Sequence, residues 1–174
     1  LDRISCRIRV FDAEVGLVRT VGGYGEGPGE YMNPTDMAVL GDGRIIVCDI
    51  FSGGVHLLGT DLVDQGVRLP FYSDPPFQPV GTFDSSFVAG QLLVEPTPDG
   101  ADATFLVGRF DLSQEASAVY FERTWEADPT RFTEIVDNVM HSAAWTADAS
   151  GNVYCAPISF DSYEITGTAP DGTE

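Results

Sequence analysis

The chain has 174 residues, 43% of them hydrophobic, which is enough for one ordinary domain with a substantial core and too apolar for a disordered composition. Acidic residues number 27 against nine basic ones, a formal net charge of −18, and every basic residue is arginine. Such a surface repels a phosphate backbone and an anionic bilayer, which argues against nucleic-acid partners. No apolar run reaches the roughly 18 residues of a membrane-crossing helix, so membrane insertion is not expected.

Nineteen glycines and eleven prolines are scattered among short apolar runs, the pattern of many turns joining many strands. Ile4, Cys6, Ile8 and Val10 alternate with Ser5, Arg7 and Arg9, as in a strand with one buried face, and a turn at 12–16 leads to a second strand at 17–20. Arg3, Arg7 and Arg9 then share a face, which a solvated strand explains better than an RNA surface. The loop Gly22-Gly23-Tyr24-Gly25-Glu26-Gly27-Pro28-Gly29-Glu30-Tyr31 precedes a strand and carries two glutamates, so it is no phosphate cradle; its glycines permit positive φ and Pro28 stiffens it. Strands follow at 36–40 and 45–48 around the turn Gly41-Asp42-Gly43, then at 55–58 and 67–69, completing a four-stranded meander. His56, which alternates with Val55 and Leu57, is expected to face solvent or a neighbouring sheet.

Beyond the proline-rich loop 70–79, whose Phe71, Tyr72 and Phe77 either form an aromatic lip or pack on the next unit, strands are predicted at 81–83 or slightly later, 92–94, 104–110 and 118–124. The stretch 128–139 carries helical signals: Asp128 as cap, Pro129 at the first position, and Phe132, Ile135, Val136 and Val139 on one face. A third unit reads 143–146, 153–155 and 163–166 and reaches the turn Pro170-Asp171-Gly172, which should deliver a fourth strand that the chain lacks. Cys6, Cys48 and Cys155 take the places of small apolar residues and lack zinc-type spacing, so buried free thiols are expected.

One segment recurs, as Gly43-Arg44-Ile45-Ile46-Val47-Cys48-Asp49, Gly90-Gln91-Leu92-Leu93-Val94-Glu95-Pro96 and Gly151-Asn152-Val153-Tyr154-Cys155-Ala156-Pro157. Each copy reads glycine, a polar residue, then an apolar run closed by Asp or Pro, and is predicted to be the second strand of its unit with the glycine in the hairpin. The glycines lie 47 residues (43 to 90) and 61 residues (90 to 151) apart, the spacing of an array with one small sheet per repeat.

Four-stranded meanders at this period describe β-propeller blades. The stretch Arg7-Ile8-Arg9-Val10-Phe11-Asp12, then Gly25-Glu26-Gly27-Pro28-Gly29-Glu30-Tyr31, Asn33-Pro34 and the Gly43 to Asp49 segment resembles the NHL-repeat and TolB-like six-bladed propellers. Pro96 and Pro157 depart from that pattern, which has Asp at this place. The resemblance implies an all-β chain of four-stranded antiparallel blades: a blade remnant over 1–20, blades over 21–70 and 71–125, and a partial blade over 126–174. Such a chain is an incomplete six-bladed ring, completed by the rest of a longer polypeptide or by a second chain.

In that geometry the innermost strands line a channel, and residues at their entrances converge. Asp36, Asp84 and His141 begin or adjoin the predicted first strands of three successive blades and are the channel-facing candidates. Oxygen donors with one histidine suit a divalent cation, and related propeller lactonases hold calcium there, so calcium is the candidate ion. No Gly-x-Ser-x-Gly elbow is present. The first functional expectation is a non-catalytic binding or scaffolding module without an evident cofactor, recognising a protein, peptide or small molecule, and exported to the periplasm, the exterior or a lipoprotein anchor by a signal outside this chain. The second is a calcium- or zinc-dependent hydrolase or lyase of the lactonase or amidating-lyase type that uses the channel.

Overall fold

The computed structural model describes residues 1–49, 54–69, 76–112, 116–128, 130–140, 142–148, 150–158, 161 and 164–173. Strands β1 (Arg7–Phe11) and β2 (Leu17–Gly22) form the first sheet; β3 (Pro34–Val39), β4 (Ile45–Asp49), β5 (Gly54–Leu58) and β6 (Asp64–Leu69) the second. The third contains β7 (Phe77–Gly81), β8 (Phe87–Thr97), β9 (Gly100–Phe110) and β10 (Ala116–Ala127), and after helix α1 (Phe132–Met140) the fourth contains β11 (Ala143–Ala147), β12 (Val153–Pro157) and β13 (Thr166–Thr168). Every pairing is antiparallel and joins strands consecutive in sequence. The chain is therefore all-β, in four antiparallel meanders, with one short helix among the described residues.

The sheets stack face to face, and alternation along each strand shows how. In β4, Ile45 and Val47 join Cys6, Ile8, Tyr31 and Leu58 in a core shared with the first sheet. Ile46 and Cys48 point the other way, into a core with Val55, Leu57, Phe87, Ala89, Leu106 and Phe110 of the second and third sheets. Val88, Phe105 and Val107 continue the stack against Val139, Ala143, Val153 and Cys155. A strand buried on both faces reads as a continuous apolar run, which is why the first copy of the recurrent segment, β4, does not alternate; in the third copy, β12, Tyr154 is exposed between buried Val153 and Cys155. The Phe87 and Phe110 rings, stacked 5.6 Å apart, illustrate the driving force: burying one such side chain is worth about 2–3 kcal/mol.

The free thiols at Cys6, Cys48 and Cys155 are buried as expected, and burial pushes the Cys155 thiol up to about 11 and Cys48 higher still. Several expectations are corrected. Ile4 lies in a turn and is 99% exposed, so the strand begins at Arg7 and Arg3 is not on its face; Asp2 folds back to bridge Arg7 instead. Of the two surroundings expected for His56, the neighbouring sheet is the one found: it is fully buried on the face of β5 that the first sheet covers, with its ring 4.9 Å from that of Tyr31. β7 ends where its strand was expected to start, and 82–86 is a turn. β8, β9 and β10 are 11, 11 and 12 residues long, all longer than predicted and β8 most of all, with Leu92, Phe105, Phe121 and Trp125 packed on the side that carries α1 and the fourth sheet.

Gly90 also differs from its two counterparts. Gly43 and Gly151 sit in hairpins with φ near +83°, whereas Gly90 lies inside β8 opposite Phe77 and Val107, where a Cβ would strike the Trp145, Phe105 and Phe77 rings. The middle copy of the repeat is thus a sequence likeness without the shared turn. Phe77 packs on Phe105 and Trp145, while Phe71 and Tyr72 lie outside the described residues.

Candidate functional site

Neighbouring sheets meet at their first strands. Beyond the end of β3, the Gly41 N–H donates to the Asp84 carbonyl at 2.7 Å, and a Cβ on Gly81 would collide with the Val39 carbonyl oxygen. At their starts, the Gln78 N–H donates to Asp36 Oδ2 at 3.3 Å. β3 and β7 therefore lie side by side, start to start, and β11 adjoins β7 in turn. This alignment gives the stack two ends with different chemistry.

One end is made of hairpins of a single design. At 12–16, 40–44, 59–63, 148–152 and 169–173, the first residue's N–H donates to the fifth residue's carbonyl and the fourth N–H donates to the first carbonyl. The fourth residue has positive φ in each: Val15, Gly43, Leu62, Gly151 and Gly172. This is a type I turn followed by a G1 bulge. An aspartate caps each one. Asp42, Asp61 and Asp171 stand third and accept the fifth residue's N–H, while Asp12 and Asp148 stand first and accept two amides each. Part of the large negative charge is thereby structural.

Asp84 belongs to this end. In the 82–86 turn it stands third, like Asp42, and its Oδ1 accepts the Ser86 N–H at 2.8 Å and the Ser86 and Thr82 hydroxyls at 2.6 and 2.9 Å. Its Oδ2 takes Arg109 Nη2 at 2.6 Å, and the guanidinium, 10% exposed, lies 5.6 Å from the centre of the Phe83 ring. Burial works against the Asp84 charge, but the Ser86 and Thr82 hydrogen bonds and the Arg109 charge outweigh it and hold the carboxyl well below the usual range. Phe83 in turn covers Gly151, and Tyr120 Oη donates to the Pro170 carbonyl at 2.9 Å, tying the third sheet's hairpin end to that of the fourth.

The other end carries the strand entrances and longer loops. Asp49, which closes the first copy of the repeat, is buried and accepts the Met32 and Asn33 N–H groups at 2.7 and 2.9 Å, fixing the approach to β3; His56 Nε2 lies 3.9 Å from it. Asp36 is here, half-buried in β3. It and Asp84 stand at opposite ends of adjacent strands, and both Asp84 oxygens are engaged, so the two do not form one ligand set. His141 lies outside the described residues. Among the described residues no group of three or more His, Cys, Asp or Glu side chains is arranged to hold a metal ion.

The residue that the structure brings to Asp36 is Gln78, which Trp145 contacts in turn. Between Phe77 and Val80, β7 holds one residue more than β8 opposite, a β-bulge, and Gln78 has φ +48°. Its backbone groups are turned across the stack: the N–H goes to Asp36 of the second sheet, and the carbonyl accepts the Trp145 indole N–H of the fourth at 3.3 Å. The sequence signal for this was Pro79, which cannot donate to a ladder and is found within sheets at edges or bulges. An open groove at the tip of the β8–β9 hairpin, lined by Asp99, Asp102, Glu126 and Asp128 among others, is a separate acidic surface. No helix among the described residues is long and apolar enough to cross a membrane. No protein-family model matches the chain, and no curated protein is significantly similar to it.

Proposed function

We propose that the four sheets are successive blades of an incomplete β-propeller of the NHL-repeat and TolB-like kind, and that the chain is a non-catalytic module that binds a protein, peptide or small molecule. The observation that supports this best is the side-by-side run of β3, β7 and β11, joined through Gln78, because it gathers the entrance residues of successive sheets on one edge. Further blades, in the same polypeptide or in a second chain, complete the ring in this reading. An exported setting, periplasmic, extracellular or lipoprotein-anchored, goes with the same resemblance.

The competing reading, a hydrolase or lyase working through calcium or zinc, needs Asp36 and His141 to share an ion, with ligands other than Asp84. Calorimetric titration of the whole chain with each metal separates the two. The binding-module reading expects no stoichiometric site that depends on these residues. A site of one ion per chain that disappears in both Asp36→Asn and His141→Ala would overturn it.

A further inference from the structure

The edge at Gln78 has a definite chemical preference, which names a ligand class for the binding-module reading and rests on that reading. Asp36 Oδ2 and Trp145 Nε1 contact the N–H and the C=O of one residue, so they lie within about 10 Å of each other. Both bonds are 3.3 Å, longer than the usual N–H···O range, and both are exposed to solvent, so groups of a ligand can compete for them. Gln78 itself is exposed, on a backbone in a conformation that non-glycine residues seldom adopt.

A ligand approaching this edge meets a half-buried carboxylate, a partly exposed indole and a neutral side-chain amide, in the field of a chain with net charge −18. The carboxylate makes its strongest hydrogen bonds with cationic donors, the indole ring attracts cations, and the long-range field concentrates them. A planar guanidinium serves both partners, pairing through two N–H groups with the carboxylate and stacking on the indole, whereas an ammonium behaves as a point charge. We infer that the edge formed by Asp36, Gln78 and Trp145 binds the guanidinium of an arginine side chain on a peptide.

The indole N–H spectrum of the full chain tests this, because the chain has only two tryptophans, Trp125 and Trp145, and Trp145→Phe assigns their signals. Titration with acetyl-Gly-Arg-Gly-amide should shift the Trp145 signal to saturation and leave that of Trp125 in place. The neutral citrulline counterpart should bind about tenfold more weakly or worse, and Asp36→Asn should bring the arginine peptide down to that level. An unchanged Trp125 signal in Asp36→Asn certifies its fold. Equal binding of the two peptides, or undiminished binding by Asp36→Asn, overturns the guanidinium assignment and leaves the binding reading standing. No Trp145 shift at millimolar peptide overturns the inference alone, since the binding reading stands or falls on the metal titration.

Discussion

The hairpin end and the loop end of the stack use the same residue types for different purposes. At the hairpin end each aspartate completes a turn, the turns repeat one geometry, Arg109 holds Asp84 and Phe83 within the third sheet, and the Gly41–Asp84 bond and Phe83 over Gly151 join that sheet to its neighbours. At the loop end the joins are single long hydrogen bonds through a bulged residue, and Asp36 and Trp145 remain within reach of solvent. Where polar groups are saturated the chain is held; where they are loosely tied it can exchange partners. Substitutions in the turns at the hairpin end should therefore change stability, and those at the Asp36, Gln78 and Trp145 edge of the loop end should change binding.

The largest effect is expected where adjacent sheets touch backbone to backbone. Gly81→Ala drives a methyl into the Val39 carbonyl and should cost about 3 kcal/mol or more, read as a lowered urea midpoint; retention of wild-type stability would mean β3 and β7 are not apposed there. Asp84→Asn comes next, at about 1–2 kcal/mol. It leaves the buried Arg109 without its counter-charge, but Asp84 is 42% exposed, and solvent screening reduces the penalty. The pH dependence follows from the depressed carboxyl. Because the folded-state pKa lies below the ordinary 3.8, the contribution of the ionised form is present above about pH 4 and is lost as pH falls toward the folded value. The stability gap between wild type and Asp84→Asn should be flat from about pH 7 to 5 and close below about 4, and a gap that widens in acid would contradict the assignment.

A smaller effect of opposite sign is expected at Val15. It occupies the turn position held by glycine in three of its counterparts, with φ +65° and 78% exposure, so Val15→Gly relieves strain and forfeits little packing. A gain of about 1 kcal/mol in thermal unfolding is predicted, and a loss would show that the turn does not share the common geometry. The smallest effect belongs to Asp36→Asn, within about 0.5 kcal/mol of wild type; a larger destabilisation would make the loop end as structural as the hairpin end.

The sheet count and most strand positions could be read from apolar runs between turn residues, because burial and turn chemistry are local signals. Asp42-Gly43 and Asp171-Gly172 announced their hairpins directly. Thr82-Phe83-Asp84-Ser85-Ser86 has no glycine, so in sequence its turn reads as strand, and Asp84 stands beyond the end of β7 and not at its entrance. Gly90 misled in the opposite direction, since a glycine making room for three aromatic rings looks in sequence like one making a turn. The alternation of His56 with Val55 and Leu57 fits either solvent or a neighbouring sheet, and the stacking of the first sheet decides for the latter. The site was less legible than the fold, because Asp36, Gln78 and Trp145 are far apart in sequence and meet only through a bulge that Pro79 alone foreshadows.

Gln78 joins the first strands of three successive sheets at one edge. A nuclear Overhauser spectrum of the full chain tests it most directly, through the Gln78 amide and the Trp145 indole protons. Contacts are expected from the Gln78 amide proton to the Asp36 side chain and from the Trp145 indole proton to the Gln78–Pro79 backbone in the same sample. Contacts to only one of the two neighbours, or a regular β7–β8 ladder through residue 78, would contradict it.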